Sequence, residues 1–326
     1  MAVKTLDKKR NRVLMAMALF LGLGAVPFFA PPFYVVFLND ALIIACLSMS
    51  LNLLVGYTGL ISFGHAAYFG LGAYACGLLM KSAGLPFGVS LVAAGALGGF
   101  GAALAGFFCV RLNRVYFSML TLAFSLIFWA ICFRWNDLTG GDQGLSGIPY
   151  PNLSWLSQMI GRPDFSSAQS YYLVSLVVVA ICIAAMWIIV SSPVGLMLRT
   201  IRENEQRSTF IGVETRRVKL AIFIVAGTIA GLAGGLFAIF NRGVYPDFMY
   251  WTKSAEILIM ALFGGIGSFW GPAIGSLTLL LLHQETLAFT EYWSFALGII
   301  LLVLTLRFPS GLWGLFKRFT NTRRSK

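Results

Sequence analysis

"SSPVGLMLRTIRENEQRSTFIGVETRRVKLAIFIVAG", residues 191–227, interrupts a chain that is otherwise close to hydrocarbon. Nine charged residues fall within positions 199–219, although only 11% of the chain is charged. The flanks explain the contrast. Residues 170–190 and 218–240 are apolar runs, each long enough to cross roughly 30 Å of lipid as a helix. The insert therefore reads as a loop between two membrane crossings, and the chain as a polytopic helical membrane protein.

Composition agrees with this reading. Hydrophobic residues make up 58% of the chain, against about 45–50% in soluble domains, and the mean hydropathy is +0.82. Apolar segments are read at 13–30, 36–56, 58–80, 87–110, 115–134, 170–190, 218–240 and 293–306, with a broken stretch at 255–283. The short alternating strands of a membrane barrel are not seen in the sequence. The N-terminus, "MAVKTLDKKRNRVLMAMALFLGLGAVPFFAPP", has the basic stretch and apolar core of a signal peptide. It shows no clear small-x-small cleavage site, so it reads as an uncleaved first crossing. Cys46, Cys76, Cys109, Cys132 and Cys182 all fall in apolar runs without a CxxC pair, and read as small packing residues rather than metal ligands or disulfides.

The net charge of +12 has a topological source before it has a nucleic-acid one. With the N-terminus inside, the inner pieces 1–12, 111–114, 191–219 and 307–326 hold 19 Lys and Arg, and the outer pieces hold five. That bias depends on the stretch 255–283, which includes "AEILIMALFGGIGSFWGPAIG". Read as one crossing, it would leave the basic tail outside and reduce the tally to 13 against 11. Read as a hairpin turning near Gly264–Pro272, it keeps the tail inside. The expectation is thus ten membrane segments, both termini cytoplasmic, and one membrane domain over 1–326 with a cytoplasmic loop at 191–219 and an outer loop at 135–169. The hairpin arms, about 13 residues each, would be short or re-entrant, so their backbone must be buried in protein or line a cavity.

Within the charged insert, Ser192 followed by Pro193 reads as an N-cap with proline at the first helical position, and Gly212 as a stop. Glu203 with Arg207, and Arg199 with Glu203, are spaced as i,i+4 pairs. Leu196, Leu198, Ile201, Phe210 and Ile211 supply apolar anchors. The expectation is one short amphipathic helix along the inner membrane face. A solvated loop obeying the positive-inside rule would explain the basic residues, but not the cap, the anchors and the acids together. A helix that docks in a groove of a cytoplasmic partner would use all three.

Elsewhere, "GYTGLISFGHAAYFGLGAY" (56–74) shares a Ser-Phe step with the hairpin, Ser62-Phe63 against Ser268-Phe269, and paired interruptions of this kind can mark a transport path. Chance explains two shared residues equally well. Gly95/Gly99, Gly227/Gly231/Gly235 and Gly267/Gly271/Gly275 are small-xxx-small steps that let helices approach closely. The outer loop opens with "TGGDQGLSGIPYPNL", a turn sequence, and continues to Trp155, Leu156 and Met159, which suit a membrane surface.

"GLMLRTIRENEQRSTFIGV" and "VKLAIFIVAGTIAGLAGGLFA", with "SLNLLVGYTGLISFGHAAYFGLGAY", "TGGDQGLSGIP" and "GGIGSFWGPAIG", resemble the LivM-type permease subunits of ABC importers for branched-chain amino acids. Urea permease subunits are close relatives. The resemblance runs from about Ser50 to Gly314. It implies the ten-helix fold of type II-like importer permeases, and a coupling helix that seats in a cleft of the ATPase. Gly195, Leu198, Arg199, Ile201, Arg202, Glu203, Asn204, Glu205 and Gly212 match that helix's motif. Thr200 and Arg207-Ser208 stand where the family usually has alanine. The implied partners are a second, LivH-type permease, two ATPase subunits carrying ATP and Mg, and an external substrate-binding protein. The implied location is a prokaryotic cytoplasmic membrane, with lipid around the chain and no nucleic acid.

What the sequence lacks points the same way. There is no G-x-x-x-x-G-K-[ST] phosphate loop and no catalytic Ser/His/Asp set, so the chain reads as a non-catalytic subunit binding no cofactor of its own. Asp40 and Glu256 are read as lying at segment ends, which disfavours a proton- or sodium-driven carrier. Candidate path residues are Ser62, Phe63, His65 and Ser268. His65 reads first as a packed structural histidine and second as a substrate contact. A self-contained carrier or channel, a membrane enzyme, and urea as substrate remain the alternatives.

Overall fold

The computed structural model describes residues 20–153 and 167–289, together with 295, 298–299, 302 and 311–314. Trp155, Leu156, Met159 and most of the segment 293–306 lie outside the described residues.

Among the described residues the fold is almost wholly helical. The helices are α1 (Phe20–Phe29), α2 (Pro32–Val55), α3 (His65–Lys81), α4 (Phe87–Cys109), α5 (Arg114–Arg134), α6 (Ser167–Ser191), α7 (Pro193–Glu203), α8 (Glu205–Phe210), α9 (Thr215–Phe240), α10 (Trp251–Gly264) and α11 (Gly271–Phe289). Five of them, α2, α4, α5, α6 and α9, are long and apolar enough to cross a membrane.

Helix α9 is the axis of the bundle, with α2, α3 and α4 packed around it. Its contact with α4 is close because both faces lack side chains. A Cβ on Gly231 would fall 2.4 Å from the Ala94 carbonyl oxygen, and one on Gly227 would fall 2.3 Å from the Ala102 Cβ. Gly235 meets the same helix at Ala94. Where lipid removes the hydrophobic drive, this closeness supplies the dispersion contacts that hold helices together. The hairpin uses the same device. Gly275 on α11 sits against the Met260 carbonyl of α10, and Gly271 against Gly265, whereas Gly267 at the tip has open space around it.

Two crossings are interrupted, and here the expectation is corrected. The apolar stretch 58–80 is not helical until His65. Gly59 takes a positive φ of +73°, and residues 59–62 run without helical structure. His65 is hydrogen-bonded to Ser50 of α2, five residues, or about 8 Å of rise, back from the end of that helix. The chain therefore re-enters the bundle in extended form before α3 starts. On the opposite face, the segment after α9 pairs Gly243–Val244 with Leu145–Ser146 of the outer loop and then dives inward through a 3₁₀ turn at Pro246–Met249. The Met249 carbonyl accepts from Ser125 in the middle of α5. Helix α10 begins only there. The hairpin arms are also unequal: 14 residues in α10 and 19 in α11, about 21 and 28 Å.

Candidate functional site: the charged face and its junction

The charged insert folds as two helices rather than the single one expected. The Ser192 side chain caps α7 by accepting from the Val194 N–H at 3.2 Å, with Pro193 in the first turn. Asn204 then leaves helical geometry, and its Oδ1 accepts from the Arg207 N–H at 2.9 Å, starting α8. An asparagine offers the backbone this alternative, which is why it ends one helix and opens the next. The break lies between Glu203 and Arg207. Neither that pair nor Arg199 with Glu203 forms an ion pair among the described residues. Glu205 pairs instead with Lys219, buried at the start of α9. Gly212, at φ +89°, follows α8.

One edge of this segment is fastened to the bundle. Gly195, Leu198 and Ile201, three residues apart, are its buried stripe. A Cβ on Gly195 would lie 2.1 Å from the Val190 carbonyl, so only glycine lets α7 fold back on the end of α6. Arg202 Nη1 donates to the Gly56 carbonyl at the end of α2. Arg114, at the start of α5, donates to the Arg202 carbonyl at 2.5 Å. The Arg199 guanidinium lies 5.4 Å from the centre of the Tyr57 ring, a cation–π contact.

The same turn of α2 holds the tip of the hairpin. Asn52 Nδ2 donates to the Ser268 carbonyl at 3.0 Å, and a Cβ on Gly56 would lie 2.6 Å from the Ile266 carbonyl. Ser268 Oγ accepts from the Gly271 N–H at 2.9 Å, capping α11. Trp187 of α6 packs edge-on against Phe269 at 5.0 Å. Thus α2, α5, α6, α7, α9 and the hairpin meet at one junction. Pushing on α7 would load all of them.

The other edge of the segment is free. Leu196, Phe210 and Ile211, read as anchors, face outward with Val194 and Met197. Glu203 and Arg207 are exposed beside them. Apolar knobs among charges of both signs are the chemistry of a docking surface.

The candidate path residues lie near this junction. Ser62 is fully buried, and its hydroxyl has no hydrogen-bond partner among the described residues. The Phe63 N–H donates to Thr121 Oγ1 at 3.3 Å. His65 is fully buried, with Nε2 at 2.8 Å from Ser50 Oγ, and Nδ1 has no partner among the described residues. Ser268 and His65 are both tied to α2, through Asn52 and Ser50, and among the described residues no hydrogen bond joins them to each other.

The family model described as the branched-chain amino acid transport system / permease component matches residues 33–306. The chain belongs to this family. The permease is 30% identical over 282 residues to the high-affinity branched-chain amino acid transport system permease protein LivM of Escherichia coli, covering 82% of this chain and 66% of that one. It is 29% identical to the Salmonella typhimurium protein of the same name, covering 92% and 74%. The permease protein LivH of E. coli is 25% identical, covering 83% and 91%. The permease thus spans about two-thirds of the E. coli LivM length. No solved structure matches it.

Sequence reasoning missed Arg114, Asn52 and Lys219. The partners of Arg114 and Asn52 lie 88 and 216 residues away, and that of Lys219 lies 14 away across the break between two helices, so no helical spacing marks any of them.

Proposed function

We propose that the permease is a membrane subunit of an ATP-driven ABC importer for branched-chain or other apolar amino acids. It forms one membrane domain of ten segments with both termini cytoplasmic, and the 193–212 segment is the ATPase-coupling element on the inner face. A second, LivH-type permease completes the path, two ATPase subunits carry ATP and Mg, and an external binding protein delivers substrate. The chain itself catalyses nothing and binds no cofactor. The observation that carries this reading is the coupling segment, whose fastened edge ties into every neighbouring crossing while its free edge presents apolar and charged side chains. A motor closing on that edge would move α2, α9 and the hairpin together, and alternating access follows. Substrate class is supported by the names of the relatives; urea is the second reading.

The test is leucine uptake by proteoliposomes holding both permeases and the ATPases, with binding protein outside. Uptake that requires ATP supports the proposal, and uphill uptake by this chain alone would overturn it. Glu203→Lys probes docking without touching the fold, because Glu203 is exposed and makes no ion pair among the described residues. It should lower substrate-stimulated ATP hydrolysis about tenfold, the effect of roughly 1.4 kcal/mol. Reversing Glu205 is less informative, since that change also strands buried Lys219.

A further inference from the structure

Hydropathy placed Asp40 and Glu256 at segment ends, and the structure places them inside. Asp40 is the ninth residue of α2, about 12 Å along the helix from its start. Lys253 and Glu256 lie in the first two turns of α10, which starts deep in the bundle. The depth follows from Ser254, whose hydroxyl accepts from the Ala66 N–H at 2.9 Å. Ala66 is fifteen residues, about 22 Å, from the end of α3 at Lys81, which bonds to Ser146 of the outer loop. Lys253 Nζ is 2.9 Å from Glu256 Oε2. Asp40 is within electrostatic reach of both, on a helix packed against α10.

These groups are not sealed in the core. The side chains of Lys253 and Glu256 are 23% and 40% exposed, and Asp40 is half-buried. Ionisable side chains open to hydrocarbon at this depth are costly, so a face that presents three of them is turned to water or to another polar surface. Two carboxylates against one ammonium leave a net charge of −1. An incoming ammonium would balance it. Lys253 stands in the first turn of α10, where the aligned backbone dipoles also favour a carboxylate. Phe33, Val36 and Asp40 share one face of α2, and both aromatic and aliphatic members are exposed.

We propose that Asp40, Lys253 and Glu256 form a station that reads the two charged ends of a zwitterionic amino acid on its way through the bilayer. Asp40 takes the α-ammonium, Lys253 takes the α-carboxylate while Glu256 holds it in place, and the strip at Phe33 and Val36 meets the apolar side chain. The station is an open half-site, so the second permease closes it. This deepens the importer reading and rests on it.

The experiment uses the whole reconstituted importer and measures leucine uptake for wild type, Asp40→Asn, Lys253→Gln and the exchange Lys253→Glu with Glu256→Lys. Co-purification of the second permease is followed in parallel. Leucine analogues lacking the α-ammonium or the α-carboxylate serve as competitors. The expected result is a fall in uptake of at least tenfold in Asp40→Asn and Lys253→Gln with the complex intact. The exchange should not restore uptake, and Asp40→Asn should lose its preference for leucine over the ammonium-free analogue. Undiminished uptake in the single variants overturns the proposal. So does rescue by the exchange, which would mark a structural ion pair, or loss of the second permease, which would mark an intersubunit salt bridge. If wild type takes up no amino acid at all, it is the importer reading that fails, and the station falls with it.

Discussion

The two interrupted crossings invite comparison. Each brings an extended segment in from one face of the bundle and begins a helix at depth, and the two first turns meet where the Ala66 N–H reaches Ser254. The break at 56–64 is packed against protein along most of its length, with Ile61 exposed: Gly56 lies against the Ile266 carbonyl, Ser62 and His65 are fully buried, and Arg202 fastens the turn to α7. The break at 241–250 leads into a helix that shows Lys253 and Glu256 to the outside of the subunit. A backbone leaving helical geometry inside a membrane must be satisfied by protein or by water. The first break uses protein, and in the proposed importer it is the mechanical joint. The second presents charge and serves as a surface. In the proposed importer, one topological device, used twice, would separate force from recognition.

The largest expected effect comes from filling the joint. Gly56→Val sets a branched side chain against two backbone carbonyls, so the hairpin tip must move. The cost should be about 3 kcal/mol, seen as a large drop in the melting temperature of the purified permease. Gly70→Ala beside the second break is the control. There a Cβ would fall 2.2 Å from the Met249 Cγ, a side-chain atom rather than a backbone carbonyl, so the buried methionine must repack and the cost should be smaller, about 1–2 kcal/mol. Equal effects would erase the distinction between the two breaks.

Ser50→Ala comes next. It removes the hydrogen bond to His65, whose Nδ1 already lacks a partner, and leaves a buried imidazole wholly unpaired among the described residues. A loss of roughly 2 kcal/mol is expected by thermal melting. No change would mean that water already serves the ring. The smallest effect is expected from Ser254→Ala, which takes away the acceptor for the Ala66 N–H. Neighbouring polar groups in membrane proteins compensate well, so about 0.6–1 kcal/mol should be lost. A much larger loss would make the meeting of the two first turns a keystone.

How much of this was legible beforehand follows from the range of each signal. The long apolar runs, the hairpin and the Ser192-Pro193 start depend on composition or on neighbours within a turn, and they could be read. Asn204 carried the chemistry of a cap, but the i,i+4 spacing of Glu203 and Arg207 read through it as one continuous helix. Residues 58–64 looked helical because "GLISF" is apolar, and hydropathy does not separate buried extended chain from buried helix. Asp40 and Glu256 were placed at segment ends because the apolar windows 36–56 and 255–283 begin just before them, and hydropathy does not tell how deep in the fold a helix starts. The links from Arg202 to Gly56 and from Asn52 to Ser268 span 146 and 216 residues. Only tertiary structure pairs such groups, and the joint was invisible until the fold was in view.

The central claim is that force applied at α7 reaches the crossings through the turn at Gly56. The most direct test is the ratio of leucine imported to ATP hydrolysed in proteoliposomes carrying Arg202→Ala. The account predicts that the ATPases stay bound and hydrolysis continues while uptake falls by about two orders of magnitude, so the ratio collapses. An unchanged ratio would show that the motor drives the permease by another route.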